Sequence, residues 1–384
     1  MSVLTVFIDA LKPESVEHME FLNSFNNKAR VKTELPSYSN TCHASMYTGV
    51  YPERHKHFFI WKYSPTTSPF KVFLKLRLHK VIHDIRIKYL LYAARCKLRF
   101  GIVPYGYLFF ARHTLDYWVN FDFETVKFWG SPDMYVGEYP TIFKILDKAR
   151  VEYQVIWKPK GSLNKINVKS PPYPFTYIFI GRIDPATHIY GQEHPKTREI
   201  LLQIDSVIER VYLNFENIYG NDFFFLVFSD HGQTEIGERV NLYSYFESNG
   251  RDLNNYLHFL DSCYARFWFR NDKEKEEVEE VLNKLDDKGF ILTENIMKKH
   301  KAKIPTDYGE LIFYLEPPYV FDVVNPKAIC MHGYLPDHPD LDGVCVANRK
   351  IKSPYIKLED ITPSILQALG LEIPDYMDGE PIWR

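Results

Sequence analysis

The chain has 384 residues, 45% of them hydrophobic and 25% charged, with 47 Lys and Arg against 49 Asp and Glu. That composition excludes a mainly disordered or collagen-like chain, and a net charge of −2 argues against any nucleic-acid polymer as partner. Five scattered cysteines with no CxxC pair exclude a disulfide scaffold and a four-cysteine zinc site.

In chain order, the first predicted element is a strand over Val3 to Ile8, apolar almost throughout and ended by Asp9. No basic stretch or cleavable apolar segment precedes it, and no run of about 18 apolar residues occurs anywhere. The expectation is a protein without signal peptide or transmembrane helix, placed in the cytoplasm. The loop around Pro36 enters a helix that stops at Gly49, with Ser39 at the N-cap position. A hydroxyl at a helix N-terminus sits where anions are favoured.

Residues 54–115 then carry thirteen Lys and Arg against one acid, Asp84, a surplus of +12 that leaves the rest of the chain at −14. Within it, Val72 to Leu91 interleaves basic and apolar residues. That pattern fits a helix packed on the core or an amphipathic helix on an anionic membrane. The segment reads as a lid or docking surface, or as a solvated basic face.

Helical periodicity follows at Thr141 to Arg150 and Thr197 to Asn214. Apolar strands at Tyr177 to Ile180 and Phe223 to Phe228 run into Asp184 and into Ser229-Asp230. A charged helix at Asp272 to Lys288 lies between strand-like Ala265 to Arg270 and Leu311 to Leu315, as in a small α+β cap. A closing strand and helix occupy Val344 to Arg384. Fully apolar strands alternating with helices predict an α/β sandwich, with ligands bound beyond the carboxyl ends of the strands.

The polar residues at those strand ends carry the chemistry. Asp9, Asp184-x-x-x-His188, Asp230-His231-Gly232 and His332-Gly333 offer the carboxylates and imidazoles that a zinc-like ion takes. Asp184 and His188, four apart, share a face if helical. Taken alone, each has a plainer reading: a turn-forming Asp, an exposed Asp-x-x-x-His helix. Their order along one chain gives them weight together. His194 and Asp205 read as surface or structural residues, and Tyr105 to Phe110 as local core, or else as a wall for an apolar substrate tail.

With the loop-helix segment added, the sequence resembles the alkaline phosphatase superfamily, in its type I phosphodiesterase/nucleotide pyrophosphatase branch. The motifs are Phe7-Ile-Asp9, Thr48-Gly-Val-Tyr-Pro-Glu-Arg-His55, Asp184-x-x-x-His188-x-x-Gly191, Ser229-Asp-His-Gly232 and Met331-His-Gly-Tyr334. The resemblance implies an alkaline-phosphatase-like α/β sandwich, its central sheet mostly parallel and covered by helices on both faces. The core would occupy 1–58, 136–235 and 329–384, with the basic, aromatic-rich insert at 59–135 and the cap at 236–328. It implies two divalent ions, zinc or else manganese, one held by Asp184, His188 and His332, the other by Asp9, Asp230 and His231. Ser39, ten residues before Gly49, would ligate the second ion and be the nucleophile, with Thr41 the rival. Asn40 and His43 are the candidates for holding a phosphoryl oxygen, a task the branch gives to an asparagine, and His43 is the candidate substrate contact. The resemblance also leads to Asp-Gly after the first strand, where this chain has Asp9-Ala10. The implied activity is metal-dependent hydrolysis of a phosphodiester or phosphomonoester in a small anionic substrate. A phosphotransferase or mutase, a phosphonate hydrolase and a non-catalytic binding protein remain as alternatives.

Overall fold

The computed structural model describes residues 2–101, 103, 105–124, 134–158, 163, 166–169 and 171–383. Part of the insert, residues 125–133, lies outside them. Seven strands form the central sheet: β1 (Ser2–Ile8), β2 (Asn27–Lys32), β3 (Tyr153–Lys158), β4 (Phe175–Ile180), β5 (Phe223–Phe228), β6 (Gly343–Ala347) and β7 (Tyr355–Lys357). Their spatial order is β7-β2-β6-β5-β1-β4-β3. β1 runs parallel to β4 and β5 on either side, β3 parallel to β4, and β7 parallel to β2. Only β6 runs against its neighbours.

Alternation along β1 shows why both faces are covered. Val3 and Phe7 join one core with Tyr47, Phe143, Leu146 and Ile365. Leu4, Val6 and Ile8 join the other with Leu201, Ile204 and Ile208. Those partners come from helices that include α1 (Ser39–Thr48) and α4 (Pro195–Tyr219) on opposite faces; α2 (Ile85–Phe100) belongs to the insert and α3 (Ile183–Tyr190) follows β4. A strand apolar at every position is what such double burial selects.

The insert is closed at its base by Trp61–Tyr63 pairing antiparallel with Phe121–Phe123. The predicted continuous helix over Val72 to Leu91 is broken instead. A short helix at Lys71–Lys75 ends near Arg77, whose φ is +55°. The chain becomes helical again at Ile85 because the Asp84 carboxylate accepts from the Arg86 and Ile87 amides at 2.8 and 3.1 Å. The cap is a four-stranded antiparallel sheet, Leu257–Leu260, Tyr264–Trp268, Leu311–Leu315 and Gly289–Ile291 in spatial order, with a helix over Asp272–Leu282. That helix is shorter than the expected reach to Lys288.

Insert and cap share one hydrophobic core. Trp61, Phe70, Phe109, Phe110 and Trp118 from the insert pack with Phe259, Phe267 and Trp268 from the cap. The buried Arg266 of the cap donates to the Trp61 carbonyl at 2.7 Å and lies over the Phe59 ring. Among the described residues no helix is long and apolar enough to cross a membrane. All five cysteines are buried and free.

Candidate metal centre

Since β1, β4 and β5 are parallel neighbours, their carboxyl ends open on one edge of the sheet, and the residues following them converge there. Asp9 follows β1. Asp184 and His188 lie one turn apart on α3, with His188 Nε2 3.2 Å from Asp184 Oδ1. Asp230 and His231 follow β5, and His332 arrives from the loop after the cap.

Two groups of three side chains bring their ligand atoms within 4.8 Å of one another: Asp184, His231 and His332, and Asp9, Asp230 and His231. His231 belongs to both. Its Nε2 lies 3.7 Å from Asp9 Oδ1 and 3.4 Å from Asp230 Oδ2, and its ring stacks on His332 at 4.0 Å. His332 Nε2 is 3.6 Å from Asp184 Oδ1. His188 flanks the first group through Asp184 and is not in its tightest set.

The tautomers follow from the backbone. His188 Nδ1 faces the Cys330 carbonyl at 2.8 Å, His332 Nδ1 the Ser37 carbonyl at 2.8 Å and His231 Nδ1 the Gly232 carbonyl at 3.1 Å. A carbonyl only accepts, so each Nδ1 carries a proton and each Nε2 is the ring atom turned toward the centre.

The electrostatics point the same way. Burial first, then the Asp230 and Asp184 charges, hold the Asp9 carboxyl well above its usual range. Burial also pushes Asp184 and Asp230 up, but histidines outweigh it and hold both low: His188, His332 and His231 around Asp184, His231 and His43 around Asp230. Asp9 Oδ1 and Asp230 Oδ2 are buried without a hydrogen-bond partner. Three close carboxylates, two with an unpartnered buried oxygen, and three imidazoles turned Nε2-first toward them are the donor set that a divalent cation of zinc's preferences takes.

Two glycines fit this packing. A Cβ at Gly232 would lie 2.2 Å from the Asp340 carbonyl. At Gly333, where φ is +105°, it would strike the Tyr38 ring, which packs edge-on against His332.

Ser39 is the first residue of α1 rather than its cap; Tyr38 precedes it in extended conformation. Its Oγ lies 3.2 Å from His231 Nε2, at the shared corner of the two groups. Thr41 turns away: its hydroxyl donates to the Phe58 carbonyl at 2.8 Å in the core. Asn40 is buried in the same first turn. His43 sits behind Asp230, with Nε2 3.5 Å from Oδ2, and edge-on to Phe7. That contact suits a residue orienting Asp230 more than one touching substrate.

Sequence reasoning missed Gln233. Fully buried, it donates from Nε2 to Asp184 Oδ1 at 2.7 Å, fixing that carboxylate. Its signal was adjacency to Asp230-His231-Gly232. Asp205 is structural: it accepts from the Phe21 and Leu22 amides at 2.8 and 3.0 Å. His194 caps α4. Phe109 and Phe110 are core, whereas Tyr105 is exposed.

A doubly covered sheet with paired ligand groups at the carboxyl ends of its parallel strands defines an alkaline-phosphatase-like hydrolase fold. Within that class, the chain belongs to the type I phosphodiesterase/nucleotide pyrophosphatase family, whose model matches residues 105–327, more than half its length. The fold is similar to human ectonucleotide pyrophosphatase/phosphodiesterase 5, with a TM-score of 0.69 at 13% identity over 99% of this chain and 97% of that one. It is also similar to the murine protein of that name, in an inactive variant in complex with AMP, with a TM-score of 0.67 at 13% identity over 97% and 96%. No curated protein sequence matches significantly. At the family level this is a phosphodiester-hydrolase fold, and the family generally works with two metal ions.

Proposed function

We propose that the chain hydrolyses a phosphodiester or phosphomonoester in a small anionic substrate, with Ser39 as nucleophile. The observation carrying this reading is Ser39 Oγ at the corner where both ligand groups meet, 3.2 Å from the shared His231. Asp184, His188 and His332 would hold one divalent cation, and Asp9, Asp230, His231 and Ser39 the other. When bound, the pair supplies charge neutralisation for the phosphoryl oxygens and a lowered pKa for the serine hydroxyl.

The chain's own groups do the rest. Ser39 Oγ attacks phosphorus as the leaving oxygen departs on the far side, giving a phosphoseryl enzyme that water then hydrolyses. Three Nδ1 protons held by backbone carbonyls fix the imidazoles, and Gln233 and His43 fix Asp184 and Asp230. That pre-orientation removes a reorganisation cost at the moment of reaction. The AMP bound to the murine protein favours a nucleotide among small phosphate esters.

The test pairs metal analysis with turnover of a chromogenic diester and the matching monoester. About two zinc or manganese ions per chain are expected, and chelation abolishes hydrolysis and lowers the melting temperature, since the ions bind only the folded site. A protein fully active without transition metal overturns the reading.

A further inference from the structure

The search for unassigned surface leads away from the metal centre to the insert. Among the described residues, sixteen large hydrophobic side chains are exposed, and ten of them fall between Leu76 and Leu108. Scattered exposed hydrophobics are ordinary on a soluble protein, but such a concentration in one short segment is not.

Helix α2 shows how the concentration arises. Lys88, Tyr92 and Cys96, four residues apart, form its buried face, and the Lys88 ammonium donates to the His113 carbonyl at 2.9 Å. Leu90, Ala94 and Leu98, also four apart, lie on the opposite face, with Leu90 65% and Leu98 82% exposed. The helix is therefore apolar on two sides, and only one is covered. Leu76 and Val81, in the segment before α2, are also exposed, as is Ile85 at its first turn.

Cations are interleaved with these residues. Lys75, Arg77, Lys80, Arg86 and Lys97 are exposed, and among the described residues none of them makes an ion pair with a carboxylate. The sole acid of the stretch, Asp84, is spent on capping α2.

We infer that the surface from Lys71 to Leu108 docks on an anionic lipid membrane, the aliphatic side chains entering the headgroup boundary and the cations meeting lipid phosphates and carboxylates. The chemistry selects this occupant. Aliphatic side chains protruding between cations match a surface that is apolar beneath a negatively charged layer, and the net charge of −2 argues against a nucleic-acid polymer. A helix of 16 residues, roughly 24 Å long at 1.5 Å per residue, lies flat at an interface and is too short and too charged to span one.

The test is flotation of the full chain with vesicles of phosphatidylcholine alone and of phosphatidylcholine with phosphatidylserine. Binding is expected only to the anionic vesicles, and it weakens steeply from roughly 50 to 300 mM salt. Replacing Lys75, Arg77, Arg86 and Lys97 together by Gln weakens it by at least about a hundredfold at low salt, at roughly fivefold per cation. Leu90→Glu with Leu98→Glu abolishes it. These positions are exposed, and circular dichroism verifies that each variant keeps its fold. Failure of the wild-type chain to bind anionic vesicles overturns the inference whatever the variants do, as does equal binding to neutral vesicles. A stable dimer that the double-Glu variant dissociates, without vesicle binding, assigns the face to self-association instead. None of these outcomes depends on whether the metal centre hydrolyses phosphate esters.

Discussion

The carboxyl edge of the central sheet and the junction between insert and cap solve the same problem, polar groups in a buried place, in opposite ways. At the sheet edge, Asp9, Asp184 and Asp230 crowd together, a buried oxygen of Asp9 and one of Asp230 are left without partners, and three imidazoles turn Nε2 inward. At the junction, a chain of His113, Tyr243 and His258 gives each proton it shares a destination. His113 Nε2 lies 3.0 Å from the Tyr243 hydroxyl, which lies 2.9 Å from His258 Nε2, and His258 Nδ1 faces the Tyr256 carbonyl at 2.9 Å. The carbonyl fixes His258 as the Nδ1–H tautomer, so Tyr243 donates to it and accepts from His113. The first arrangement is poised for a ligand; the second is complete in itself and joins two segments far apart in sequence.

The largest effect should come from breaking the first arrangement at its corner. Ser39→Ala removes the attacking oxygen and one candidate ligand, so kcat/KM for a chromogenic phosphodiester should fall by several orders of magnitude. Thr41→Ala removes only a hydroxyl tied to the Phe58 carbonyl and should leave most activity, with some loss of stability. A dead Thr41→Ala protein beside an active Ser39→Ala one would move the nucleophile two residues along α1.

The same contrast governs what was legible in the sequence. Asp9, Asp184, Asp230 and His231 were readable because each follows a mostly apolar run, directly or within a short step, and parallel strands must deliver their carboxyl ends to one edge. Gln233 was not, because its contact with Asp184 crosses from β5 to α3 and leaves no spacing to detect. Nor was the sharing of His231 between both groups, which depends on a ring position and not on order along the chain. The junction was invisible for the same reason. The insert read as a basic, aromatic-rich segment and the cap as a separate small α+β unit, whereas Phe109 packs on Phe259 with ring centroids 4.3 Å apart. In α2 the misreading was local and avoidable: Asp84, the one acid in a basic stretch, was already a helix-start signal.

The second prediction breaks the completed arrangement with protons. Burial holds His258 down to about 4, and burial followed by the neighbouring His258, Arg112 and Lys88 holds His113 down to about 2. Both are neutral in the folded chain, while an unfolded histidine takes a proton near pH 6.5. The unfolded state thus binds more protons below that pH. The stability these residues contribute is complete above about pH 6.5 and is lost as pH falls toward 4. For His258 alone, urea unfolding at pH 5 should show about 2 kcal/mol less stability than at pH 7. His258→Gln should flatten that slope. An unchanged slope in the variant would mean that the proton is taken up elsewhere.

The smallest effect returns to the sheet edge, at the one residue where the chain departs from the Asp-Gly its resemblance implies. Ala10 is fully buried at φ +61°, a left-handed conformation that costs a residue with a Cβ roughly 1–2 kcal/mol. Ala10→Gly removes that strain but gives up a buried methyl group, worth about 0.8 kcal/mol, and adds about 0.4–1 kcal/mol of unfolded-state entropy. The opposing terms nearly cancel, so stability should move by less than about 1 kcal/mol in either direction. The Ala10 amide is 3.4 Å from Asp230 Oδ1, and a glycine keeps that amide, so metal content should stay at the wild-type value. A large loss of stability would show that the Ala10 methyl packs harder than burial alone implies. A loss of metal without a loss of stability would show instead that the methyl holds the turn that sets Asp9 against Asp230, making alanine a working part of this sheet edge and not a tolerated substitute for glycine.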